Sequence, residues 1–435
     1  MGSESRDIFD RVDDLNENIK DGTNWPLLAF LFLLPLVNIQ QKFFPPLPGG
    51  INFMNVMFAL SLIGAFWKGG RVHWEQSANK WIVAFMVYLV FSYVIMLFML
   101  TLPIERSLNA LKDLLFTISL TFLVQKSISS YKDVKLILFA LLLPLPYVFR
   151  VIFNQYQVVA RWNYSDSLRV NGTMVDLGSN EIGAYLVTAS VLAVVLAFSF
   201  KVEKLWEKAL LYIAVPCALL SLMYTYSRGA YVSIIAAAIV FYFYKKNKGK
   251  LTVILLLFFV ASPLIIPESV YQRFSSISSE DGERDESAES RFVFWEAAFE
   301  RAKQSPIFGY GYRSWGSSEI NSTGMDTHNY FVKTIVEGGV LGILLLIALL
   351  ISISNLARTT IKNSKSQLMR AVGIVLLCSV IGILVGNMFG DRFSHPPIIF
   401  IFWVLCGVCA KLHCLAVPDF NEPVNKPSPS TVFDD

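Results

Sequence analysis

Apolar residues in this chain come in blocks long enough to cross a bilayer, separated by polar connections. A hydrocarbon core of ~30 Å asks for ~20 helical residues at ~1.5 Å each. Blocks at about 25–40, 51–67, 81–102, 107–125, 134–153 and 177–200 are of this kind. The stretch 209–244 carries one charge, Arg228. As one helix it would be ~54 Å long, so it reads as two spans joined by a tight turn at Ser227-Arg228-Gly229. Blocks at about 251–267, 330–355, 370–389 and 396–415 complete the set. The expected fold is an all-α polytopic membrane protein of about twelve transmembrane helices. Helices 1–9 occupy 25–267, one large outer loop occupies 268–329, and helices 10–12 occupy 330–415.

The flanks differ from this pattern. Residues 1–24 are polar and include Asp13, Asp14 and Glu17. They have no basic stretch followed by a cleavage site, so the first span is expected to stay in the mature protein. Residues 416–435 are Pro-rich with no apolar run and read as a disordered cytoplasmic tail. No internal repeat stands out, and no pair of interrupted helices marks an inverted-repeat transporter.

Composition agrees with the pattern. Charged residues make up 16% of the 435 residues and hydrophobic ones 54%, whereas a soluble domain carries about 25% charge. A cytosolic enzyme, a disordered chain and a nucleic-acid binder are excluded. The net charge of +4 is small, so placement decides more than the sum. Alternate connections carry Lys68, Arg71 and Lys80; Lys126, Lys132 and Lys135; Lys201, Lys204 and Lys208; Lys245, Lys246, Lys248 and Lys250; and Arg358, Lys362, Lys365 and Arg370. The other side carries far fewer, mainly Lys42, Arg106, Arg161, Arg169, Arg228 and Arg392. The positive-inside rule then puts both termini in the cytoplasm. The Arg228 turn and the long loop face outward.

Five cysteines, Cys217, Cys378, Cys406, Cys409 and Cys414, lie in or beside apolar blocks. No disulfide framework is expected. Cys406, Cys409, His413 and Cys414 fall along one helix, which cannot wrap four ligands around a tetrahedral ion. They read as small residues facing lipid or the bundle.

The loop 268–329 divides in two. Ser275 to Glu289 is rich in Ser, Asp and Glu. Ser290–Lys303 places Phe292, Trp295, Ala298 and Phe299 at helical spacing, with Ser290 as the expected N-cap and Pro306 as the stop. Such an amphipathic helix suits the outer membrane surface, as a working part or as a plain interfacial strut. The run Ile307-Phe308-Gly309-Tyr310-Gly311-Tyr312-Arg313 is flexible or tightly turned, and its GxG alone does not specify a phosphate. Thr327-His328-Asn329-Tyr330 stands directly before a span, and Glu337-Gly338-Gly339 follows inside it.

Ionisable groups at membrane depth are functional candidates by default. Arg228 is one, although an Arg at a helix end also snorkels to headgroups. Lys112 and Asp113 read as a pair inside the bundle. Arg161, Arg169, Asn171, Asn180, Glu181, Asp391 and Arg392 are outer polar groups, several of which are expected to line a cavity. Of four histidines (His73, His328, His395, His413), His328 lies at the outer boundary beside the long loop.

The ordered set Ser227-Arg228-Gly229, Glu289-Ser290-Arg291 leading into Trp295, Pro306 to Gly311, His328-Asn329 and Glu337 to Gly342 resembles the O-antigen ligase superfamily. That superfamily includes O-antigen and exopolysaccharide polymerases. The motif-bearing part covers about 220–345; the other spans agree only in number and hydropathy. The resemblance implies a membrane glycosyltransferase of the bacterial inner membrane with a periplasmic active site. Its donor is a glycan on undecaprenyl diphosphate. Its acceptor is a sugar of lipid A–core in a ligase, or another lipid-linked repeat in a polymerase.

The residues suit that chemistry. Guanidinium groups stay charged and grip two phosphate oxygens at once, which makes Arg228 and Arg291 the candidates for the diphosphate. Negative charge grows there as the glycosidic bond breaks, so fixed cations favour the transition state. His328 is the candidate general base for a sugar hydroxyl, with Asn329 orienting it or the substrate. Backside attack would invert the anomeric centre. Arg313, Tyr310, Tyr312 and Trp315 are candidate sugar contacts, the aromatic rings doubling as an interfacial belt in the alternative reading. No cofactor is called for, and no DxD-like pair is present to hold a metal. A transporter for a small anion or an oligosaccharide is the rival from another class.

Overall fold

The computed structural model describes residues 22–45, 47, 51–100, 104–159, 170–175, 177–253, 256–257 and 286–416. Arg161, Arg169, the acidic stretch up to 285, most of the expected span 251–267 and both terminal segments lie outside these residues. So does the side chain of Arg106. The described chain is helical nearly throughout: α1 Trp25–Leu33, α2 Val37–Phe43, α3 Phe53–Lys68, α4 Ser77–Met99, α5 Ile104–Ser127, α6 Tyr131–Leu142, α7 Leu145–Val159 and α8 Ser179–Ser199. Then follow α9 Leu205–Tyr224, α10 Arg228–Tyr244, α11 Glu286–Ala302, α12 Tyr330–Lys362, α13 Gln367–Asn387 and α14 Pro396–Ala416. Its one β-bridge among the described residues joins Leu47 and Ile51.

Among the described residues, eight helical stretches are long and apolar enough to cross a bilayer, α6 and α7 counting together. The 16-residue α3 and 17-residue α10 are apolar but shorter. The expected span 25–40 is not one helix, because α1 and α2 meet at a bend of 110°. Pro35 lies in the break; it has no N–H to donate and its ring clashes with the preceding turn. Freed carbonyls need partners in apolar surroundings. Gln40 Nε2 donates to the carbonyls of Leu33 and Leu34 at 2.7 and 2.9 Å, and Thr173 Oγ1 to that of Pro35 at 2.7 Å. The division of 209–244 at Ser227 holds: Ser227 caps α10 by accepting from the N–H of Ala230. In the loop, the helix begins at Glu286. Ser290 therefore lies inside α11 and is not its N-cap.

The centre of the bundle is formed by α8, α13 and α14, the most buried spans. α13 packs against α8, α10, α12 and α14, while α14 also packs on α5. Lys112 and Asp113 pair at 3.5 Å, as expected, and Asn52 Nδ2 donates to the same carboxylate.

All five lysine-bearing connections meet at one end. Lys68 pairs with Asp133, Lys126 Nζ donates to Gly70 O, and Lys135 pairs with Glu207. Gln367 accepts from Lys201 N, Arg370 donates to Tyr244 O, and Lys245 to Phe198 O. The Lys68–Asp133 pair is 2.5 Å long and 2% and 6% exposed. Asp133 also accepts from the N–H groups of Ser129 and Ser130, closing a capping box on α6. Asp133→Ala should lower stability by about 3–5 kcal/mol, because it strands a buried ammonium. Adding Lys68→Met should restore much of it. Thermal unfolding in detergent checks both, and equal midpoints for wild type and Asp133→Ala would refute the assignment.

Candidate functional site

The opposite end is organised by a break in α12. Gly339 there has φ 60° and ψ −161°, outside any helix. The break leaves backbone groups without helical partners, and the loop supplies them. The N–H groups of Tyr310 and Gly311 donate to the carbonyls of Val336 and Glu337 at 3.0 and 2.8 Å. Those of Val340 and Leu341 donate to Pro306 and Ile307 at 2.8 and 3.1 Å. Two motifs that are separate in sequence are thus one backbone structure. Glycine is required for the approach. A Cβ on Gly339 would stand 2.4 Å from the Ile307 carbonyl, and one on Gly311 would stand 2.3 Å from Met96 N in α4. The GxG serves this junction.

From the junction the loop is fixed outward. The carboxylate of Glu337 accepts from the Trp315 N–H at 3.3 Å. Trp315 Nε1 donates to Met325 O, and Trp295 Nε1, from α11, donates to Thr327 O at 2.8 Å. Asn329 caps α12, its Oδ1 accepting from Phe331 and Val332 N–H. Thr327 Oγ1 accepts from Asn329 N and donates to Asn329 O. His328 is held between these two anchored neighbours at φ 49°. Tyr226, Arg313 and His328 are the non-glycine residues with positive φ among the described ones, at 51°, 63° and 49°. All three lie in this end of the molecule. Backbone strain of this kind persists only where the surroundings over-determine it, and it concentrates at working sites.

Charges converge on His328. Its side chain is 42% exposed, with Nδ1 3.8 Å from Asp326 Oδ2. Burial lowers its pKa below the ordinary value; Asp326 and Glu181 pull it up, while Arg291 and Arg392 push it down. Arg392, in the turn between α13 and α14, is buried and donates to Glu181 of α8. Next to it, Asp391 pairs with Lys333 at 2.7 Å and accepts from Ser394 N. Burial alone would raise the Asp391 pKa, but Lys333 and His395 hold it far below the carboxylate range. Burial, Lys333 and Arg392 lower that of His395, against Asp391 and Glu181. Beside His328, a recess of about 280 Å³ is lined by Arg313, Trp315, Asn321, Asp326 and Lys333.

Arg228 stands at the first position of α10. Ser227 before it donates to Asn180 Oδ1 at 2.9 Å, and Gly229 after it lies against the Phe389 ring. A narrow cleft runs past Asn180, Ser227, Gly229, Phe389 and Arg392. The turn on either side of Arg228, Ser227 and Gly229, thus shares this cleft with Arg392, one of the charges acting on His328.

Residues 213–347 match the family model of the O-antigen ligases. No curated protein matches the chain. Every motif from Ser227 to Gly342 falls inside the matched segment, which bears out the resemblance read from sequence. The segment carries Arg228, Arg291, Arg313 and His328. Glu181, Asp391 and Arg392 come from outside it and surround it with charge.

Other residues chosen from sequence take varied places in the matched segment. Tyr312 and Trp315 are 5% and 2% exposed, so neither ring offers an open face to a sugar or forms an exposed belt. The glycine junction draws them down, and Tyr312 N donates to Ser92 O of α4. Tyr310 is half-buried and its hydroxyl donates to Gln304. Asn329 is buried and its Oδ1 is engaged in the cap. Sequence reasoning missed Asp326 and Lys333, and it named Glu337 within a motif without giving its side chain a role. A signal existed for Lys333 and Glu337: they are charges one helical turn apart at the start of a span. At the lysine-rich end, Cys406 and Cys409 are buried, Cys409 Sγ contacts Thr360 Oγ1, and Cys414 accepts from Gln76. Cys406 and Cys409 are absorbed in packing, while Cys414 is half-buried.

Proposed function

We propose that the protein is an inverting glycosyltransferase that moves a glycan from undecaprenyl diphosphate to a sugar hydroxyl of lipid A–core. It works at the periplasmic face of the bacterial inner membrane, with both termini in the cytoplasm. The observation that carries this reading is His328, held in strained backbone 3.8 Å from Asp326, which lines the recess, with Arg291 and Arg392 lowering the pKa of its ring. The lysine-rich connections at the opposite end support the orientation.

In this reading Arg228 and Arg291 bind the lipid diphosphate. They stabilise the charge that develops on it as the anomeric bond breaks. His328 takes the proton of the acceptor hydroxyl, which then attacks the anomeric carbon from the side opposite the diphosphate. A lowered pKa keeps the imidazole neutral, and so available as a base, at neutral pH. Arg313 faces the recess where the acceptor sugar would sit.

Purified protein given the lipid-linked donor and lipid A–core should yield glycan-bearing lipid A. Lengthening of the donor's own chain would instead mark a polymerase. Solute movement across liposomes without any glycosidic product would mark a transporter. Arg228→Ala and Arg291→Ala should each cut transfer at least about a hundredfold with insertion unchanged. Near-normal transfer by both variants would reject the phosphate-binding roles.

A further inference from the structure

We propose that the lysine-rich end holds a second site, for the phosphate-bearing headgroup of an anionic phospholipid. A cavity of about 620 Å³ opens there, where the ends of α8 and α10 meet the start of α13. Lys201, Lys245, Lys246, Lys365 and Arg370 surround it, and none of its lining residues is Asp or Glu. These residues come from three connections far apart in sequence, so the fold gathers the charge.

Part of this charge has local work. Lys245 donates to Phe198 O; Arg370 donates to Tyr244 O at 3.1 Å and to Ile361 O at 3.4 Å. These carbonyls lie at or near the ends of α8, α10 and α12, where helix dipoles favour cations. Helix capping accounts for two of the five. It does not account for Lys201, Lys246 and Lys365, which are exposed and have no carboxylate partner among the described residues. Glu207, close by in sequence, is engaged by Lys135 at 2.8 Å. Like charges around one concavity repel, and an anion inside it relieves that repulsion.

The walls select the kind of anion. Phe198, Phe200, Tyr244 and Ile374 line the same cavity. A free ion has no use for apolar walls, whereas an amphiphile fits a basic rim above them. The size suits a headgroup with its glycerol. Basic pockets between spans at the cytoplasmic leaflet are suited to anionic lipid. The proposal is independent of glycan transfer, and so is its test.

The test uses the full chain, purified in detergent and stripped of lipid, with native mass spectrometry to count bound lipids. Wild type should retain phosphatidylglycerol over phosphatidylcholine by at least about tenfold. The variant Lys201→Gln/Lys246→Gln/Lys365→Gln should lose that preference. The charge-matched control Lys204→Gln/Lys208→Gln/Lys250→Gln, at the same end but outside the cavity, should keep it. Millimolar inorganic phosphate should leave the bound lipid in place. Equal retention by wild type and the cavity variant would overturn the proposal. So would an equal loss in the control, which would mean diffuse surface charge, or displacement by phosphate, which would mean a soluble anion.

Discussion

His328→Asn should lower glycan transfer by about 10²–10⁴-fold, the usual contribution of a general base. Asparagine is the informative replacement because it tolerates the left-handed backbone that His328 adopts at φ 49°. A loss in this variant is then a loss of chemistry rather than of fold, and an unchanged melting midpoint in detergent confirms it. The pH profile is a second readout. A base works deprotonated, so activity falls as pH drops through its pKa. Burial, Arg291 and Arg392 lower that pKa from its ordinary value, so the acid limb of kcat/KM should lie below about 6.5. Asp326 opposes the shift. Asp326→Asn should therefore move the limb to still lower pH. Asp326 is 42% exposed on its side chain, so the substitution leaves no stranded buried group. Transfer by His328→Asn at the wild-type rate, or an acid limb unmoved by Asp326→Asn, would remove His328 from the mechanism.

How far the sequence reached depended on the range of the interaction. Long apolar blocks and the alternation of lysine-rich connections are local signals, and they located most of the helices and the gathering of the lysines at one end. The bend at Pro35 was also a local signal, overridden by the apolar run around it. Helix α11 includes the four residues before the expected cap, because Glu286 to Glu289 are helical as well. The site behaved differently. Arg291, His328, Glu181, Asp391 and Arg392 stood out by type and position, yet their pairings did not. Glu181 and Arg392 are 211 residues apart, and Lys333 and Asp391 are 58 apart. No periodicity joins partners at such separations. The same holds for the glycine motifs, each of which reads as a flexible loop until the other is laid against it.

That junction yields the largest expected effect on stability. Gly339→Ala and Gly311→Ala should each destabilise the protein by about 2–5 kcal/mol. A left-handed backbone costs an L-residue about 1–2 kcal/mol, and forcing packed groups apart adds about 1–3. Here the obstructing atoms are backbone, at 2.4 Å from Gly339 and 2.3 Å from Gly311, so no side chain can swing clear. Two other glycines separate the contributions. Gly324 has φ +66°, but no atom lies within 4 Å of where its Cβ would stand, so Gly324→Ala should show only the conformational cost of about 1–2 kcal/mol. Gly316 has neither constraint, and Gly316→Ala should be near neutral. Thermal unfolding of the four variants in one detergent should rank them in that order. Transfer should fall with stability in the first pair, although neither glycine carries a functional side chain. The junction bears Trp315 through Glu337, and Trp315 in turn holds Met325, three residues before His328. If all four variants melt together, the four cross-motif hydrogen bonds do not hold the loop, and the placement of His328 needs another support.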